Sequence, residues 1–179
     1  MRPKVSKPCL LIGPINAETT DECVKSLWTY ALDPVEGRDP TSSPISLLIN
    51  SEGGEVPCGW AIVETIREIE NSCGVSVDTY AMGECASIAV VVFLCATGSR
   101  IATKSCSFMV HDLVVENASG NPDALGRLTT AMHWMNDSIF DYMQRKTQMD
   151  TDLLRNMMEE DVHFTAAEAV QLGFADQLR

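Results

Sequence analysis

Three short apolar segments, residues 9–12, 45–49 and 75–80, are each followed by a stretch that reads as helix. After the first, Val24, Leu27, Trp28 and Ala31 recur at helical spacing, introduced by a Thr19/Glu22 pair with the spacing of a capping box. After the second, Ile62, Ile66 and Ile69 mark one face of a helix, and after the third the apolar run 88–96 reads as a buried helix closed by Gly98. A chain that returns through a helix to each new strand lays its strands parallel. The expectation is therefore an α/β fold with a mainly parallel sheet, and a further strand at 107–110.

A second constraint lies at 122–147. Asn121 can cap a helix there and Pro122 suits its first turn. Leu125, Leu128, Met132, Met135, Ile139 and Tyr142 alternate spacings of three and four, which makes a narrow apolar seam. At 1.5 Å per residue such a helix is about 39 Å long, more than one domain needs to cover itself. Protrusion and packing against another subunit is the expectation, with packing inside the monomer as the alternative. Thr165 and Glu168 form another capping box, and Gly173 ends that helix.

The chain has 179 residues, 45% of them hydrophobic, which suits one domain spanning 1–179. Its net charge of −12, without a Lys/Arg cluster, argues against a nucleic-acid partner and reads as solubility. Seven cysteines, with no Cys-x-x-Cys pair, fit neither a disulfide framework nor a zinc site; they read as small buried side chains in a reducing compartment. Residues 1–8 lack a following apolar core of signal-peptide length, and the longest apolar run falls far short of the ~20 residues of a membrane span. A soluble, cytoplasmic protein with no membrane partner is expected.

Residues with chemistry to offer are few. Ser87 sits where a strand gives way to an apolar helix, among Gly83, Cys85, Ala86 and Ala89, so a substrate backbone could approach it. Free N–H groups at that helix start would favour negative charge. A plain helix-capping serine fits the same position. His111 ends an apolar strand, where a base is often found, although an isolated histidine is more often structural. Gly53 and Gly54 directly follow a strand and permit close backbone approach, as a tight turn also would.

Together these pieces resemble the Clp protease proteolytic subunit over nearly the whole length. They are Leu10-Leu-Ile-Gly-Pro-Ile15, Leu48-Ile-Asn-Ser-Glu-Gly-Gly54, Gly83-Glu-Cys-Ala-Ser-Ile-Ala89 and Phe108-Met-Val-His111, then Asp161-Val-His-Phe-Thr-Ala-Ala-Glu-Ala169 and Leu172-Gly-Phe-Ala-Asp176. The resemblance implies the ClpP/crotonase fold, a spiral of βαβ units with a protruding long helix. It implies a serine endopeptidase with Ser87 as nucleophile, His111 as base and Asp161 as its orienting acid. Gly54 and Ile88 would supply the oxyanion hole, and Gly53, Val56, Leu113 and Val114 would bind an extended polypeptide substrate. No metal or organic cofactor is implied; ATP would be used only by a separate AAA+ unfoldase, the Clp ATPase. Seven-membered homo-oligomeric rings, stacked in pairs through the long helix, are implied as well.

The sequence departs from the family at four places. Glu52 replaces a proline, Glu160 stands where an arginine is usual, the segment before Cys9 is short, and the 33–44 loop is long. These bear on regulation and assembly and suggest a divergent member from a phage, a plastid or a second bacterial paralogue. Three other readings compete. A crotonase-like acyl-thioester enzyme would use the oxyanion donors without a serine nucleophile. A Ser-Lys peptidase would need a buried lysine, for which only Lys104 lies near. A silent structural ring subunit would have lost triad members, and this chain keeps all three.

Overall fold

The computed structural model describes residues 8–32, 44–115 and 118–179. The segment before residue 8 and the loop at 33–43 lie outside them. Strand β1 (Cys9–Ile12), helix α1 (Ala17–Leu32), β2 (Ile45–Ser51), α2 (Val56–Cys73), β3 (Val77–Ala86) and α3 (Ile88–Leu94) form the first half. There follow β4 (Arg100–Ala102), β5 (Ser107–Val110), α4 (Pro122–Thr147), α5 (Thr151–Glu159), β6 (Val162–Thr165), α6 (Ala166–Gln171) and β7 (Gln177–Leu178). The sheet runs β1-β2-β3-β4-β7, all parallel, as the strand-helix alternation predicts. Among the described residues, only the β5–β6 pair is antiparallel.

β3 is the element on which the site depends. Its first half pairs with β4, at Thr79–Ala81, and its second half with β5, at Glu84–Ala86. Gly83 lies between the halves at φ 73, and the register against β2 slips there. A Cβ at Gly83 would lie 2.6 Å from the Asn50 side-chain oxygen, which already accepts the Glu84 N–H at 3.0 Å. The sequence reading ends this strand at residue 80; the strand instead runs on to Ala86, with Gly83 as a bend within it.

Local corrections have similar causes. Asn16, not Thr19, caps α1, its side-chain oxygen accepting the N–H groups of Glu18 and Thr19 at 3.0 and 3.1 Å. α3 ends at Leu94 with Cys95 as its cap, so Gly98 closes nothing. Asn121 caps α4 as expected, accepting the Ala124 N–H at 2.8 Å, and the Thr165/Glu168 capping box is formed in full.

The core is aliphatic around α3, every residue of which is buried. Beneath β5 and β6 it is aromatic, with Phe93, Phe108, Phe164 and Phe174 in ring contact at centroid separations of 5.0–5.5 Å. Five cysteines (Cys9, Cys23, Cys85, Cys95 and Cys106) are buried, and burial pushes the Cys23, Cys95 and Cys106 thiols up to about 12. The seam on α4 divides: Ile139 and Tyr142 are buried in the chain's own core, whereas Leu125 is 36% exposed and Leu128, Met132 and Met135 are only half-buried. Trp134, beside them, is 70% exposed.

Arg100 fastens the end of α4 and the last strand to β4. Its guanidinium donates to Asp176 at 2.5 and 3.1 Å, to the Gly173 carbonyl at 2.9 Å and to the Lys146 carbonyl at 3.2 Å. Partial burial would raise the Asp176 carboxyl, but the Arg100 hydrogen bonds and charge outweigh it and hold the group below its ordinary value. A depressed carboxyl contributes stability above its unfolded value and loses it as pH falls through the folded one. Asp176→Asn should therefore lower Tm by about 2–4 °C at pH 7, the shift made by ~1 kcal/mol in a domain this size, since partial exposure limits the gain. The difference from the parent should vanish toward pH 3. Thermal melts across pH check this; a difference that widened in acid would contradict it.

Candidate active site

Ser87 forms the junction between β3 and α3 with φ 57 and ψ −131. A non-glycine residue held in such a sparse region costs about 1–3 kcal/mol and persists only where its surroundings enforce it. Here the Ser87 N–H donates to the Met109 carbonyl of β5 at 2.9 Å, and the Ser87 carbonyl accepts the Val90 N–H at 3.0 Å. The turn carries the hydroxyl away from the helix it precedes, so Ser87 makes no side-chain cap. That rules out the capping role that sequence alone allowed. Its Oγ instead lies 2.7 Å from His111 Nε2.

The pairing of β3 with β5 sets this distance. Ala86 is registered against Met109, so the residues just beyond each strand, Ser87 and His111, emerge side by side. Both are half-buried, and both line one pocket with Gly54, Ile88, Leu113 and Val114. The pocket's apolar wall is Val56, Val110, Ile139 and Met143.

The glycine pair fits against the serine. Gly53 has φ 101, and a Cβ there would lie 2.6 Å from Ser87 Cβ and 2.9 Å from the Ala86 carbonyl oxygen. Ile15 hydrogen-bonds on either side of Gly54, donating to Gly53 O at 2.7 Å and accepting from Glu55 N–H at 2.8 Å. The Gly54 N–H is left out of that pairing, and Gly54 lines the pocket. Ile88 opens α3, so its N–H has no acceptor one helical turn earlier.

Asp161 follows α5 with φ 51 and begins the approach to β6. Val110 is registered against Val162, and the same antiparallel register continued by one step sets His111 opposite Asp161. The aspartate is exposed, and among the described residues no hydrogen bond joins its carboxylate to the imidazole. The structure thus brings Ser87 and His111 together, and the β5–β6 register sets Asp161 opposite His111 without a hydrogen bond between their side chains. Glu159 and Glu160 precede it, both exposed.

Sequence reading missed Asn136. This half-buried residue of α4 accepts the Leu113 N–H at 3.0 Å and donates to the Asp112 carboxylate at 2.8 Å. Lys104 lines a different groove, with Ser107, His163 and Glu168, and is not among the residues around Ser87. Among the described residues no group of three or more His, Cys, Asp or Glu could hold a metal ion, and no helix is long and apolar enough to cross a membrane.

Residues 6–179 match the family model described as Clp protease. Curated relatives agree. The chain is 28% identical to the ATP-dependent Clp protease proteolytic subunit 1 of Chlamydia pneumoniae over 165 residues, 91% of this chain and 81% of that one. It is 26% identical to the subunit 1 of Protochlamydia amoebophila over 97% of this chain and 80% of the relative. The subunit 2 of Mycolicibacterium paratuberculosis is 27% identical over 92% and 79% respectively.

Proposed function

The chain belongs to the Clp protease family, and on that premise we propose that it is a serine endopeptidase whose nucleophile is Ser87. The observation that carries the proposal is the 2.7 Å contact between Ser87 Oγ and His111 Nε2 at a strained strand-to-helix turn. A hydroxyl is a poor nucleophile unless a base takes its proton as it attacks, and this contact is within the reach that transfer needs.

His111 accepts the Ser87 proton during attack on the scissile carbonyl and returns it to the leaving amine. Asp161, one register step beyond the β5–β6 pairing, is the acid we assign to the other face of the imidazole. The unpaired Gly54 and Ile88 N–H groups are assigned to the oxyanion; each such donor typically supplies about 2.7–4 kcal/mol in the transition state. An extended substrate would add as a strand between Gly53–Val56 and Leu113–Val114. The chemistry needs no cofactor. Substrates are polypeptides, delivered by a separate ATP-consuming Clp unfoldase into rings of this chain. The half-uncovered α4 seam supports such assembly.

Labelling of Ser87 by a fluorophosphonate probe, located by peptide mapping, tests the nucleophile; an unlabelled serine in the assembled protein would refute it. The wall of Val56, Val110, Ile139 and Met143 offers nothing to pair a charge. Cleavage should therefore follow leucine or methionine at least ~100-fold more efficiently than glutamate or lysine, since an unpaired charge in an apolar pocket is costly. A fluorogenic peptide series differing at that one residue gives the ratio. Equal rates would mean that the pocket does not receive that side chain.

A further inference from the structure

Among the described residues, the segment after His111 has no strand partner. Residues 111–115 fall in neither β5 nor any other strand, although His111, Leu113 and Val114 all line the pocket. Such a segment would be free to shift, and a displacement of about 1 Å at a reacting group can cost ~100-fold in rate. Among the described residues, three hydrogen bonds hold its 112–113 portion. The Asp112 N–H donates to the Met158 carbonyl at the end of α5 at 3.0 Å. The other two come from one side chain, Asn136 of α4, which accepts from Leu113 N–H and donates to the Asp112 carboxylate.

We propose that Asn136 is a positioning residue for the peptidase reaction, a latch by which α4 fixes the 111–113 segment so that His111 meets Ser87 and Leu113 presents a straight edge to substrate. The proposal rests on the peptidase reading. An amide is suited to the task because it offers an acceptor and a donor from one planar group, and the two partners demand one of each. A carboxylate could take the Leu113 N–H but would face the Asp112 carboxylate; a leucine could do neither. Asn136 stands one turn before Ile139 and Phe140, which are buried, and Phe140 is further held by the Arg155 guanidinium 4.5 Å above its ring. The latch is therefore mounted on the anchored half of α4, not on its exposed half.

Charged and titratable groups around the latch are His111 itself, Asp161 opposite it, His133 and Asp137 on α4, and Arg155 on α5. None of these is the hydrogen-bond partner of Asn136 or Asp112. A carboxylate placed at 136 would thus meet that of Asp112 directly, and the pair would share one proton only in acid.

The test is a cycle of variants in the assembled protein, measured on a short fluorogenic peptide. Asn136→Leu should lower kcat/KM by about 10–100-fold, chiefly in kcat, without a matching loss of Tm. Asn136→Asp should be impaired at pH 7.5 and recover relative to the parent as pH falls toward 5. Asp112→Asn keeps an acceptor for the Asn136 amide and should stay within ~3-fold of the parent. The double variant D112N/N136D exchanges the two groups, restores one donor facing one acceptor, and should return to within ~3-fold at pH 7.5. That rescue is what a general packing role would not give. A double variant no better than N136D, or an N136L as active as the parent, overturns the proposal. Amide hydrogen exchange at Leu113 reads the latch without any activity: protection in the parent and its loss in N136L are expected. Protection unchanged in N136L overturns the latch even if the parent cleaves peptides, whereas a protected Leu113 in a parent that cleaves nothing defeats the peptidase reading alone.

Discussion

Replacing Ser87 by alanine should reduce peptide cleavage by about 10⁴–10⁶-fold while leaving the fold in place. The hydroxyl makes no cap to α3 and its contact is with His111 Nε2, so its removal costs the helix no hydrogen bond. Alanine must still adopt φ 57, the same conformational demand that serine already meets. His111→Ala should cost about as much, and the double variant hardly more than either single one, because a nucleophile without its base and a base without its nucleophile are equally idle. Residual activity well above the uncatalysed rate would remain, from whatever the backbone donors supply. Steady-state kinetics on a fluorogenic peptide, with circular dichroism to confirm folding, gives all four numbers. Losses that added in free energy across the pair would mean that Ser87 and His111 do not act as one unit. A Ser87→Ala protein that still cleaved at the parental rate would remove this serine from the reaction.

Why these two positions could be picked out before their geometry was known is a matter of chain order. A strand end followed by an apolar helix, and a histidine after an apolar strand, are both local patterns. What brings them to 2.7 Å is not local. It depends on β3 leaving β4 for β5 at Gly83, and a glycine within a strand reads from sequence as an interruption. The boundary between capping serine and nucleophile was likewise illegible, because it turns on a backbone angle and not on a residue type.

Asn136 marks the other limit. Its partners are 23 and 24 residues earlier in the chain, and a lone asparagine within a helix has no distinguishing pattern. Arg100 was missed for the same reason, since its acceptors at 146, 173 and 176 are scattered. By contrast, capping residues act within one turn, and the Asn121 and Thr165 caps follow directly from spacing. Even there, Asn16 displaced Thr19, because either residue suits a cap and only the first can accept from both Glu18 and Thr19. The apolar seam of α4 shows periodicity without destination. The same three-four spacing runs from Leu125 to Tyr142, yet the core takes only its C-terminal part.

Gly53→Ala should lower activity by about 100-fold, for a reason visible only in three dimensions. Two costs act together. Alanine at φ 101 is strained by roughly 1–3 kcal/mol. In addition, the new methyl would lie 2.6 Å from Ser87 Cβ, 2.9 Å from the Ala86 carbonyl and 3.1 Å from Ser87 Oγ. Backbone cannot yield as a flexible side-chain tip can, so the serine must move, and a shift of about 1 Å away from His111 is worth ~100-fold in kcat. Gly13 supplies the control. It too has positive φ, 77, but a methyl there would meet nothing within 4 Å. Gly13→Ala should therefore cost only the conformational strain, about 1–2 kcal/mol of stability, and keep parental turnover per folded molecule. Active-site titration with a fluorophosphonate separates the two effects by counting competent serines, and thermal melts followed by tryptophan fluorescence count folded chains. The expected pattern is a loss of Tm in both variants, larger in Gly53→Ala, with a loss of labelling rate in Gly53→Ala alone. Equal labelling rates in both would show that Gly53 serves the turn and not the placement of Ser87.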